Sequence, residues 1–164
     1  MIKLAPIQIE HYILRKLSFS MLESFDFKNP PHEMKPDDLT IEVLPFRNKK
    51  NSRRWRFDLD ICYAPKKTQN SPYAFDIHLS GFFAVDSKTS EGEARTLVMV
   101  NAPSLLYSIA REIISSTSAK ASWGRLILPT VQLIPPSPKM KPKKAQKPAA
   151  KRVTSTKKKQ RAAK

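Results

Sequence analysis

The chain has 164 residues, 40% of them hydrophobic, and a formal charge of +16, which is enough for one domain with an ordinary core. Twelve of the thirty Lys/Arg lie in residues 137–164 with no acid among them, so three quarters of the excess charge sits in a tail. Cys62, the single cysteine, excludes an internal disulfide and a thiolate metal cluster, and fits a reducing, cytoplasmic setting.

The N-terminus, MIKLAPIQIEHY, lacks the long apolar core of a signal peptide. No apolar run reaches the roughly 18 residues that a membrane span needs. Residues 7–22 are predicted to form a strand in which Ile13, Leu17, Phe19 and Met21 share the buried face. Residues 24–38 hold Pro30-Pro31 and Pro36 and are predicted to be loop. LTIEVLPF at 39–46 alternates again, with Pro45 marking a strand end or an exposed edge.

The turn RNKKNSRR at 47–54 is basic. WRFDLDICY at 55–63 is the cleanest alternation in the chain, with Trp55, Phe57, Leu59, Ile61 and Tyr63 on one side. YAFDIHLSGFFAV at 73–85 repeats it, interrupted at Gly81, which marks a bulge or a close approach. These four strands are predicted to form an antiparallel meander with one apolar face that needs a cover. Residues 91–100 and 104–120 have helical periodicity and supply it; Leu105, Leu106, Ile109, Ile113 and Ile114 form the stripe, and Pro103 splits the helix. Residues 125–134 close the domain as an extended segment. Five prolines at 135–148, followed by Lys, Ala, Thr, Ser and Gln, cannot bury enough area to offset ordering, so 135–164 is predicted to be disordered. The fold class is therefore α+β: a four-stranded sheet under a split long helix, domain 1–134, with a basic tail.

No catalytic constellation, cofactor loop or metal spacing stands out, and the chain is not read as an enzyme. His11, His32 and His78 lie far apart without a metal-ligand motif. Asp58, Asp60 and Asp76 are predicted to share the polar sheet face, where carboxylates most often act as solubilising charges. Two basic clusters remain: the tail, and a patch of Arg47, Lys49, Lys50, Arg53, Arg54 and Arg56. They support a reading as a nucleic-acid- or ribosome-associated binding protein. Trp55, in the middle of that patch, fits the buried register of its strand better than a surface site. The dense aromatics of the first half support another reading, an apolar surface for a partner.

Asn101-Ala102-Pro103-Ser104-Leu105-Leu106-Tyr107, then Ala110-Arg111-Glu112, then Leu126-Ile127-Leu128-Pro129-Thr130-Val131 resemble the helix and closing segments of the SecB export-chaperone family. Ser80-Gly81-Phe82-Phe83-Ala84-Val85 resembles its glycine-containing fourth strand. The resemblance covers roughly residues 7–134. It implies an ATP-independent holdase that binds unfolded preprotein or antitoxin clients in apolar grooves, assembled as a dimer of dimers, without a cofactor. The implied client-binding residues are Phe25, Phe27, Phe46, Trp55, Tyr73, Phe75, Phe83, Leu105, Leu106 and Ile109.

The sequence also departs from the family. Ser108 and Gly124 stand where prolines are usual. The basic tail replaces a second helix. Asp76 fits a docking position for the motor ATPase SecA, but Lys16 and Ser20 stand where acids would be expected. Docking to SecA is left open, and the solitary branch that protects the antitoxin of a toxin–antitoxin system becomes the alternative to export.

Overall fold

The computed structural model describes residues 4–133, so the predicted disordered tail lies outside the described residues. Alternation drives the two central strands, β3 (Arg54–Tyr63) and β4 (Tyr73–Val85). Every second residue of each is buried, and Leu59, Ile61 and Phe83 are fully so. The edge strands β1 (Ile7–Met21) and β2 (Leu39–Arg47) complete an antiparallel sheet in the order β1-β4-β3-β2.

The four strands do not follow one another as a meander. β2, β3 and β4 do, but β1 pairs with β4, from Ile7↔Val85 to Met21↔Tyr73. Tight hairpins need roughly two to five residues, whereas residues 22–38 form a long crossover that carries the chain from one sheet edge to the other. The pairing also matches lengths, since β1 has 15 residues and β4 has 13, against nine in β2.

Two register shifts interrupt β1, between Ile9 and His11 and between Leu14 and Lys16. Each inserts one residue and exchanges the faces beyond it. Ile13 therefore opposes Ser80 on the outer face, and Leu14 opposes Leu79 on the inner one. Strict alternation predicts the reverse.

The cover is one continuous helix, α1 (Glu91–Ser118), not two. It starts at a reciprocal cap: the Ser90 hydroxyl accepts from the Glu93 N–H, and the Glu93 carboxylate accepts from the Ser90 N–H at 3.2 Å. Pro103 lies inside the helix and deprives the Met99 carbonyl of its donor. The helix continues because Pro103 is itself buried, so packing on the sheet offsets the lost bond. Ala94, Val98, Ala102, Leu106, Ala110 and Ile114 form the stripe that faces the sheet. Leu105 and Ile109, placed on that stripe by periodicity, lie on its flank and are less buried. Gly81 is a close approach: a Cβ there would stand 2.5 Å from Leu106 Cδ2.

Contrary to the reading of the sequence, α1 is long and apolar enough to cross a membrane, with a mean hydropathy of 1.3 over its best window. In this fold its apolar stripe lies against the sheet, as in any core helix.

Candidate aromatic groove

The crossover, residues 22–38, does not hang free. Asn70, in the β3–β4 loop, donates its side-chain amide to the carbonyls of Asp26 (2.9 Å), Asn29 and Pro30 (both 3.1 Å), and its Oδ1 accepts from the Asp26 N–H at 2.9 Å. Further along, the Asp38 carboxylate accepts from the Lys35 N–H at 2.8 Å and from the Gln69 amide at 2.8 Å, and contacts His32 Nε2 at 2.9 Å. The Lys35 N–H first, and then His32, hold the Asp38 carboxyl down at about 2.

The other wall comes from the segment after α1. Gly124 takes φ +85°, a left-handed turn that glycine adopts without strain. The buried Tyr73 hydroxyl donates to the Gly124 carbonyl at 2.8 Å and accepts from the Trp123 N–H at 3.1 Å. Ser118 accepts from the Leu126 N–H at 2.8 Å, and Tyr107 donates to the Pro129 carbonyl at 2.7 Å. Leu128 is fully buried as the anchor. The closing segment is thus tied by side chains rather than by strand pairing.

These ties bring three aromatics together. Trp123 meets Phe25 edge-on at 5.0 Å and stacks with Phe27 at 6.4 Å and 6°. Phe27 is 70% exposed and Trp123 45%. They border a pocket of about 430 Å³ whose walls also include Met34, Tyr73 and Leu126. No carboxylate lines it; Arg125, His32 and the phenols of Tyr63 and Tyr73 are its charged or titratable groups. Such a surface offers apolar area and ring faces to an extended chain, without a catalytic or metal-binding grouping.

The ten predicted client-binding residues therefore divide. Phe25, Phe27 and Tyr73 line this groove. Trp55, Phe75, Phe83 and Leu106 lie in the core between sheet and helix, which confirms the buried register read for Trp55. Phe46 projects from the outer sheet face, 42% exposed, and Leu105 and Ile109 lie along the flank of α1. Trp123, Met34 and Leu126 were not predicted; the one local signal was the Trp123-Gly124 pair.

Asp58, Asp60 and Asp76 do share the outer sheet face. Asp76 bonds Lys16 at 2.6 Å and His78 at 2.8 Å, and His78 also reaches Asp60 at 3.1 Å. The Lys16 hydrogen bond lowers the Asp76 pKa and raises that of Lys16, so Asp76 is an ion-paired carboxylate rather than a free one. In the basic patch, Arg47 pairs with Glu91, Arg54 with Glu10 at 3.0 Å, and Arg56 with Asp58 at 3.3 Å. Arg53 donates to the backbone carbonyls of Asp86 (3.2 Å), Ser87 (3.3 Å) and Thr89. Lys49 and Lys50 are exposed.

The family model described as preprotein translocase subunit SecB matches residues 3–134. No curated protein sequence matches significantly. Among solved structures the fold is similar to that of a Mycobacterium tuberculosis SecB-like chaperone in complex with a ChAD peptide from the HigA1 antitoxin. The TM-score there is 0.50 at 13% identity, over 79% of this chain and 93% of that one. A Streptococcus agalactiae protein of unknown function matches with a TM-score of 0.48 at 10% identity, over 76% of this chain and 97% of that one.

Proposed function

The chain belongs to the SecB family of chaperones, and from that premise we propose that it is an ATP-independent holdase that keeps unfolded polypeptides in solution, with no enzymatic step. The observation that carries this reading is the Phe25–Phe27–Trp123 cluster, with Phe27 and Trp123 exposed, beside a pocket free of carboxylates. Exposed aromatics in a groove are costly to leave in water and are stabilised by any extended apolar segment that covers them. A cytoplasmic homo-oligomer accords with this reading.

Between the two client classes, the geometry favours protection of a dedicated client, such as an antitoxin, over handover to SecA. Asp76 is paired with Lys16 and in contact with His78, so a motor protein would have to compete with Lys16 for it. The M. tuberculosis chaperone, solved with an antitoxin peptide, supports the same choice.

The test is dilution of a chemically unfolded client into buffer without ATP, followed by light scattering. Wild-type protein at near-stoichiometric amounts suppresses aggregation, and Phe27→Ser with Trp123→Ser removes most of the suppression while circular dichroism stays unchanged. Scattering unaffected by excess wild-type protein would refute the proposal.

A further inference from the structure

The outer sheet face carries a second feature that a client groove does not use. The registers His11↔Phe82, Phe82↔Arg56 and Arg56↔Phe46 place four side chains in one row across all four strands. The row consists of two stacked couples. His11 and Phe82 lie parallel at 4.3 Å and 14°, and the Arg56 guanidinium sits 4.3 Å over the Phe46 ring. Both couples line one pocket of about 410 Å³, with Arg47, Arg54, Asn48 and the Arg54-paired Glu10 around it.

The charges suit a polyanion. Asp58 is one carboxylate shared by Arg15 (3.6 Å) and Arg56 (3.3 Å). Arg47 and Arg54 are held by exposed pairs, which contribute little and exchange readily. Lys49 and Lys50 form no ion pair among the described residues and stand on the adjoining turn.

We propose that this face binds single-stranded nucleic acid, with unstacked bases on the ring and guanidinium planes and phosphates on the arginines and lysines. A four-stranded sheet whose surface aromatics stack unpaired bases is one established way of holding a single strand. An acidic peptide would use the cations but gain nothing from the ring faces, so the row favours the nucleic acid. Phe46, Phe82 and His11 are its platform.

The experiment uses the full chain, basic tail included, with fluorescein-labelled oligouridylate and oligothymidylate of about twenty nucleotides and a duplex of equal length. Wild-type protein binds both single strands more tightly than the duplex. Phe46→Leu with Phe82→Leu keeps the apolar bulk but removes the rings. It weakens single-strand binding roughly fivefold or more, with the slope of log affinity on log salt unchanged. Arg54→Gln, an exposed change that leaves the core intact, instead reduces that slope by about 0.7. Three results overturn the proposal: no oligonucleotide binding; a duplex preferred to single strands, with the leucine variant equal to wild type, meaning that the tail alone binds; or a polyglutamate peptide bound more tightly than either oligonucleotide.

Discussion

At residue 81, packing overrides the local preferences of a strand. Leu106, fully buried, sits where a side chain at 81 would be. Gly81→Ala should therefore destabilise the fold by about 1–3 kcal/mol through overpacking. In urea melts, Gly81→Ala combined with Leu106→Ala should cost less than the sum of the single changes, because the second removes the closer of the two clashes that the first creates, leaving that with Phe83. Asp38 gives a pH signature. Its carboxyl lies at about 2 in the fold against an ordinary 3.8, so the contribution it makes is present above pH 4. That contribution fades as the pH falls from about 4 towards 2. Asp38→Asn should flatten acid unfolding in that window, measured by far-ultraviolet circular dichroism, and should loosen the loop that carries His32 and Met34. The sequence showed Gly81 as an interruption of a strand, and Trp55 as a buried residue, because both are local facts of alternation. It did not show Trp123, because Trp123 acquires its role from Phe25 and Phe27, about a hundred positions earlier.

The elements themselves were legible where a period runs unbroken. β3 and β4 lie where alternation places them, and α1 follows its apolar stripe. The failures share a cause, which is that one inserted or missing group changes a pattern without erasing it. Two extra residues in β1 exchange Ile13 and Leu14 between faces. Pro103 removes a donor but leaves the helix whole, because its ring is buried. The topology of β1 was unreadable for a different reason, since a long crossover reaches either sheet edge equally well. The closing segment has no regular pattern at all, and side-chain hydrogen bonds take the place of one. Ser118 is the most isolated of these ties: fully buried, it accepts from the Leu126 N–H at 2.8 Å. Ser118→Ala should leave that N–H without a partner at a cost of about 1–3 kcal/mol. The expected readout is faster amide exchange at 126 and easier proteolysis in 121–130, with α1 still protected.

Besides the aromatic groove and the outer sheet face, a single protomer leaves two further apolar surfaces uncovered among the described residues. One is the free edge of β1, where Tyr12 and Ile13 are each 48% exposed. The other is the flank of α1, where Leu105 and the half-buried Ile109 and Ile113 recur at every fourth residue while Leu106, Ala110 and Ile114 face the sheet. One helix thus carries two apolar stripes, and the fold uses one of them. A second stripe of this kind gains most from another helix, in accord with the dimer of dimers that the family resemblance implies. Sedimentation of the 18.7 kDa chain should therefore give a multiple of the protomer mass. Leu105→Glu places a charge on the flank without touching the core, so the variant should keep its secondary structure while its mass falls to a smaller species. A wild-type chain that sediments as a monomer at micromolar concentration would leave the second stripe without a structural purpose. If the smaller species also loses aggregation suppression although Phe27 and Trp123 are intact, the groove depends on neighbouring protomers for its length.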